Sequence, residues 1–275
     1  LDVARILVTD PDVLGKTDIA DHALKSLHDR GVEEVLIIGR RGPLQAAFTT
    51  LELRELGELE GLADVDVIVD PADFADISDE DLEAAARTVK NNIKVLRGYA
   101  EREPLGAKRR IVFRFRTSPI ELKGDGKVES IVLGRNELVD ENGRIVAKDT
   151  GERHELPAQL VVRAIGYRGV PLPGLPFDEK YGTIPHTGGR IEGSRNEYVV
   201  GWIKRGPTGF IGTNKSCAAQ TVRHLVADYN SGQLAAPVGK PAALDKLVRS
   251  RQPDVVGAAG WRAIDAAETA RGGDD

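Results

Sequence analysis

The sequence predicts an α/β protein: a doubly wound, mostly parallel sheet with an antiparallel insertion, then a Gly/Pro-rich crossing into a second region. Three observations carry that expectation. The short continuous apolar run Val35-Leu36-Ile37-Ile38 has the composition of a strand buried on both faces, and Val65 to Val69 reads as another buried strand. Stretches of helical spacing lie before, between and after them, and strands alternating with helices build parallel sheets. Beyond residue 109 the apolar positions switch to a period of two with glycine turns between the runs, as antiparallel strands do.

In chain order, Leu1 to Leu7 reads as a helix that Asp10-Pro11 ends. Thr17 caps a second helix with Ala20, Ala23, Leu24 and Leu27 on one face, and Gly31 stops it. Gly39-Arg40-Arg41-Gly42-Pro43 breaks the first strand, and helical spacing resumes from Leu44 to Leu56. A helix from about Ser78 to Leu96 opens on Asp79, Glu80 and Asp81, where the dipole favours negative charge. Arg110 to Arg116 alternates through Ile111, Phe113 and Phe115, and Val128 to Leu133 follows the Gly124-Asp125-Gly126 turn. A third segment after Asp140-Glu141-Asn142-Gly143 completes the expected insertion. Leu160 to Ile165 returns to buried-strand composition. Residues 166–193, with Pro171, Pro173, Pro176 and Pro185, read as a rigid crossing, which divides the chain into domains 1–165 and 166–275. Tyr198 to Val200 is expected as a strand, Gly209 to Tyr229 as a helix, and the rest as helical up to an acidic tail.

Composition excludes several classes. With 38 Lys+Arg against 43 Asp+Glu, the 275 residues carry a net charge of −5, which is not that of a globally basic nucleic-acid binder. The single cysteine, Cys217, permits no intramolecular disulfide and no Cys-ligated zinc or iron–sulfur site; a small buried helical residue is expected there. His22, His28, His154, His186 and His224 have no ligand spacing, so no metal site is expected. No run approaches the ~18 apolar residues of a membrane span and no secretory leader opens the chain, which suggests a soluble, cytoplasmic protein. The chain holds no Met and starts inside a helix without a cap, so it is expected to begin within a longer protein.

Two motifs carry chemistry. In a dinucleotide-binding βαβ unit the second strand ends beside the adenosine ribose, where an acid selects NAD and arginine accommodates the 2′-phosphate of NADP. Arg40 and Arg41 stand at such a strand end with no carboxylate, and guanidinium groups give phosphate bidentate, charge-assisted hydrogen bonds. The alternative is that they decorate a loop; no G-x-G-x-x-G accompanies them. Glu52 and Glu55 share a face of the next helix, either solvated or serving the ribose or nicotinamide as acceptor or proton carrier. The second motif is the run from Gly201 to Gly212, GWIKRGPTGFIG. It places glycines and Pro207 ahead of a helix N-terminus, a seat for negative charge such as that of a reduced flavin, beside the aromatic face of Trp202. A tight strand-to-helix connection with a core Trp is the other reading of it.

The blocks LDVARILVTDP, GRRGPLQAAFTTLELRELGEL, FRFRTSPIEL, GYRGVPLPGLPFD, GTIPHTGGRI and GWIKRGPTGFIGTNK resemble those of the adrenodoxin reductase-like ferredoxin–NADP(+) reductases of bacterial type, in order from Leu1 to about Tyr229. The resemblance implies a Rossmann-like NADP domain followed by the C-terminal part of a second, FAD-binding Rossmann-like domain. It implies a chain lacking the first FAD segment and the glycine loop that precedes LDVAR in the family. It places Arg40 and Arg41 on the 2′-phosphate pair and Glu52 on an acidic NADP contact. Trp202, Gly209, Phe210 and Ile211 fall on the FAD-contacting turn, with Gly209 also close to the nicotinamide. Phe210 replaces a smaller aliphatic residue at a backbone contact. The implied activity is FAD-mediated electron transfer between NADPH and a ferredoxin. No catalytic side chain is assigned, Glu55 being only a candidate. Lys108, Arg109, Arg110, Arg114 and Arg116, with Lys204 and Arg205, are candidates for docking an acidic ferredoxin, or else a solvated hairpin face. Rival readings are a non-catalytic NADP(H)-binding module and a relative that feeds electrons to an amidotransferase partner.

Overall fold

In the computed structural model, which describes residues 1–62, 64–209 and 211–272, the chain divides into two units, Leu1–Val162 and Arg163–Asp275. The first is built on three parallel strands, β1 (Glu34–Ile38), β2 (Val65–Ile68) and β3 (Arg109–Arg114), with β3 in the middle. Val35, Ile37, Val65, Val67, Ile111 and Phe113 project to one side of this sheet, joined by Phe115. They pack with Ala4 and Val8 of α1 (Asp2–Val8), Leu53, Leu56 and Leu59 of α4 (Thr50–Leu62), and Ile93, Leu96 and Tyr99 of α6 (Arg87–Ala100). Each fully buried aliphatic side chain here contributes about 1.5–3 kcal/mol. The α/β class and the parallel sheet are as expected.

Several elements differ from their sequence reading. Val35 to Ile38 are half-buried, not covered on both faces. The alternating segment Arg110–Arg116 was expected to open the insertion, yet it supplies the central parallel strand. Its alternation arises because Ile111, Phe113 and Phe115 enter the helix-side core while Arg110 and Arg114 point the other way. The antiparallel insertion consists of β4 (Thr117–Lys123), β5 (Ser130–Glu141) and β6 (Arg144–Pro157), in that order. Thr17 caps nothing: its hydroxyl donates to the Leu14 carbonyl, ending α2 (Pro11–Leu14), and α3 (Asp21–His28) starts four residues later. The expected helix over residues 44–56 is a 3-10 turn at Pro43–Gln45 followed by α4. The helix expected over residues 78–96 is split into α5 (Asp79–Ala84), capped by Ser78 and Asp81, and α6, because Ala85 and Ala86 are extended. Leu160 to Ile165 form no strand and lie exposed, Ile165 at 79%.

The second unit holds a hairpin of β7 (His186–Thr187) and β8 (Arg190–Ile191), then α7 (Trp202–Arg205), α8 (Ile211–Asn230), α9 (Pro241–Arg251) and α10 (Ala258–Arg271). Tyr198–Val200 is no strand; Tyr198 makes one bridge to Arg190. Ile184, Ile191 and Val199 form a small core with Leu175, Phe177 and Ile203. A polar clamp ties β8 to α8: the Arg190 guanidinium donates twice to Asp228 at 2.6 and 2.7 Å, and the Tyr198 hydroxyl donates to it at 2.6 Å. These donors hold the Asp228 carboxyl down at about 2.

Two glycines of the first unit test the packing with opposite signs. A Cβ on Gly57 would lie 2.9 Å from the Tyr99 hydroxyl, which is committed to the Leu53 carbonyl at 2.6 Å. Gly57→Ala should therefore lower the thermal midpoint despite the better helix propensity of alanine. A Cβ on Gly98 meets nothing within 4 Å, so Gly98→Ala should add about 0.5–1 kcal/mol. Midpoints moving the same way in both variants would contradict this packing.

Acid sensitivity tests the clamp in the second unit. Because the Asp228 pKa is depressed on folding, its contribution is present above the ordinary carboxylate range and is lost as pH falls through about 2. Tyr198→Phe removes one donor and raises the folded-state pKa, so the contribution is smaller and its loss should be complete at higher pH. Tryptophan fluorescence through an acid titration would show it, and coincident curves for variant and wild type would refute it.

Candidate functional site

The end of β1 is pinned by backbone. The Gly39 N–H donates to the Arg114 carbonyl at 2.9 Å, the Thr117 N–H to the Gly39 carbonyl at 3.0 Å, and the Arg116 N–H to the Arg41 carbonyl at 3.0 Å. Arg116 makes the corner from β3 into β4 with φ of +52°. Beyond the loop, the buried Gly42 donates its N–H to Gln45 Oε1 at 3.1 Å and opens the 3-10 turn. On this fixed backbone Arg40 and Arg41 are exposed, and among the described residues neither guanidinium has a hydrogen bond or ion pair. Arg116, by contrast, pairs with Asp76 at 2.7 Å.

The two acids of α4 are already engaged. Thr49 and Glu52 form a reciprocal capping box, the Thr49 N–H donating to Glu52 Oε2 at 3.2 Å and the Glu52 N–H to Thr49 Oγ1 at 3.3 Å. Glu55 pairs with Arg5 of α1. The entry to α4 is fixed by buried Asn92, whose Nδ2 donates to the Phe48 carbonyl at 2.8 Å and whose Oδ1 accepts from the Thr50 hydroxyl at 2.6 Å.

The basic residues expected as a docking patch are mostly committed. Arg110 pairs with Glu34, and Arg109 lies 4.0 Å from Asp10 and donates to the Val8 carbonyl. Lys204 is only 7% exposed, its Nζ donating to Gln220 at 2.8 Å and Thr221 at 2.9 Å. Arg205 donates to Asn214 at 2.7 Å. Lys108 and Arg114 are left exposed. The group at 108–116 spans a parallel strand, so the hairpin face is also not its setting.

In the second unit, α7 is a single turn between Gly201 and Gly206, both at positive φ. Trp202 is 44% exposed and stacks on Tyr167 with centroids 5.8 Å apart. It is an accessible aromatic face, not a core residue. Gly209 has φ of +80°, and a Cβ on it would lie 2.7 Å from the Thr213 Cβ, so only glycine leads the chain into α8. Ile211 begins that helix, and Phe210 lies outside the described residues. The Nε and Nη1 of Arg205 are buried without a partner beside this turn. Cys217 is half-buried in α8.

Sequence reasoning passed over a cavity of about 440 Å³ whose lining includes Ile68, Val112, Arg114, Thr117 and Arg135, with Asp73 at its wall. Burial, then Asp70, push the Asp73 carboxyl above the usual range, opposed by Arg135, Arg116 and Arg114. Only the 70–76 acidic spacing could have hinted at it. Among the described residues no His/Cys/Asp/Glu group could hold a metal ion, and no helix is long and apolar enough to cross a membrane.

No family model matches the chain. It is 63% identical over 278 residues to the NADPH-ferredoxin reductase FprA of Mycobacterium tuberculosis, covering 99% of the chain and 60% of that relative. A probable ferredoxin/ferredoxin–NADP reductase of Mycobacterium bovis is 46% identical, covering 100% of the chain and 46% of its own length. The mitochondrial NADPH:adrenodoxin oxidoreductase of Bos taurus is 38% identical, covering 99% and 57%. The solved structure of M. tuberculosis FprA in complex with NADPH superposes with a TM-score of 0.89 at 62% identity, over 98% of this chain and 60% of that one. The chain thus spans about three-fifths of the FprA relatives. Along its whole length it is similar to adrenodoxin reductase-like ferredoxin–NADP(+) reductases.

Proposed function

We propose that this chain is the NADP-binding domain (residues 1–165) and the C-terminal part of the FAD-binding domain (residues 166–275) of a cytoplasmic ferredoxin–NADP(+) reductase. The observation that carries the reading is the exposed, unpaired Arg40–Arg41 dipeptide on a hydrogen-bonded strand end. The pair fits a 2′-phosphate: two planar guanidinium groups without competing carboxylates, on a backbone that need not be ordered again on binding. Charge-assisted contacts of this kind favour NADPH over NADH. Glu52, held in its capping box, keeps the first turn of α4 closed below the nucleotide contact.

The glycine turn fits a flavin ring. Gly209 leaves the approach to α8 without a side chain, Trp202 offers an accessible aromatic face, and the N–H groups of the first helical turn give positive character to the seat. The unpartnered donors of Arg205 add positive charge beneath it. The chemistry supplied by bound FAD is acceptance of a hydride from NADPH and release of single electrons to an iron–sulfur ferredoxin, or the reverse. The protein's part is to bind, orient and shield; no side-chain acid or base is required for hydride transfer, and Glu55, neutralised by Arg5, is given none.

The double variant Arg40→Ala/Arg41→Ala in the intact flavoprotein should lower the ratio of kcat/KM for NADPH to that for NADH by roughly tenfold to a hundredfold. Dye reduction with each nucleotide measures it. An unchanged ratio would remove the assignment.

A further inference from the structure

We infer that Asn136, far from Arg40 and Arg41 in sequence, is the positioning residue that sets the nucleotide selectivity of that pair. The inference rests on the reading of Arg40 and Arg41 as the 2′-phosphate contact. Its basis is an accounting of backbone carbonyls. Three successive carbonyls leave β1, those of Gly39, Arg40 and Arg41. The first accepts from the Thr117 N–H and the third from the Arg116 N–H, both in the corner between β3 and β4. Arg40 and Arg41 form a bend after β1, and the two amides of the corner are taken by the carbonyls on either side of the middle one. Asn136 Nδ2 reaches it, donating to the Arg40 carbonyl at 2.9 Å.

The asparagine is built to do this. It is 4% exposed on β5, at the place where the pairing with β6 shifts register between Gly134 and Asn136. A bulge of that kind re-aims a side chain. Its own N–H donates to the Arg116 carbonyl at 2.7 Å, and the second proton of Nδ2 goes to Ser118 Oγ at 2.8 Å. The Arg40 carbonyl can only accept, so the amide nitrogen must face it and the orientation of the side chain is determined. Asn136 thus joins Arg40, Arg116 and Ser118 in one buried network and supplies the bond that decides the peptide plane between Arg40 and Arg41. Rotation of that plane would swing both guanidinium groups, whose side chains have no other partner among the described residues to hold them.

The two-ligand comparison separates positioning from general structure. Adenosine 2′,5′-bisphosphate and adenosine 5′-monophosphate share all but the 2′-phosphate, and their dissociation constants can be measured by calorimetry on the intact flavoprotein without turnover. In Asn136→Ala the affinity for the bisphosphate should fall about tenfold, with that for the monophosphate unchanged. Asn136→Asp, isosteric but without the donor, should behave alike, and Ser118→Ala should give a smaller loss of the same kind. Arg40→Ala/Arg41→Ala judges the underlying reading: its bisphosphate affinity should fall to that of the monophosphate. If that double variant loses the preference while the Asn136 variants keep it, or weaken both ligands equally, the positioning role is wrong and the arginine reading stands. If the unsubstituted chain does not distinguish the two ligands, both are overturned.

Discussion

Backbone polar groups that leave a strand under cover must find partners, and at the end of β1 this requirement organises the first unit. The carbonyls of Gly39 and Arg41 are satisfied only because β3 does not stop at the sheet edge. It turns at Arg116, in a left-handed conformation uncommon for a residue with a side chain, and continues as β4. The parallel sheet and the antiparallel insertion are therefore one hydrogen-bonded object, not a domain with an appendage. Arg116 completes the corner by pairing with Asp76, which engages its charge. The neighbouring pair, Arg40 and Arg41, is then left with fixed backbone and unengaged side chains, the division of labour an anion site needs.

How much of this was legible follows from what each residue pattern encodes. β1 and β2 were readable because Val35–Ile38 is a short apolar run and Val65–Val69 is valine-rich, interrupted only by Asp66, each bounded by charge or glycine. The role of Arg109–Arg114 was not. A period of two reports that one face is buried, and says nothing about whether the neighbouring strands run parallel; β3 has helices against one face only, so it reads like a hairpin strand. The break between α5 and α6 falls at Ala85-Ala86, among good helix formers, where no local preference could announce it. Leu160-Val161-Val162 misled in the opposite direction: an apolar run whose residues lie exposed in this chain.

For the candidate residues, place in the fold was legible and engagement was not. The strand end marked Arg40 and Arg41, and the glycine turn marked Trp202 and Gly209. Nothing local to Glu55 showed that Arg5, fifty residues earlier, neutralises it, nor that Lys204 is buried between Gln220 and Thr221. Thr49 and Glu52 are the exception. Their spacing is that of a capping box, and a local rule could have assigned it from sequence. Asn136 had no signal at all, since its partners lie 18 and 96 residues away.

In the proposed function the two units meet negative charge by opposite means, and the sequence around each explains why. At the end of β1 recognition rests on side chains: guanidinium groups carry full charge, and their reach tolerates a loop lying on the surface. At the entrance to α8 it rests on backbone. Gly209 has no room for a Cβ against Thr213, so the turn is held to glycine, and the helix presents N–H groups whose partial charge acts only at close range. A side-chain site can be retuned by one substitution; a backbone site can only be blocked by one. Under the proposed function, selectivity between related nucleotides therefore rests with Arg40 and Arg41, and the close seating of a flat ring with the turn.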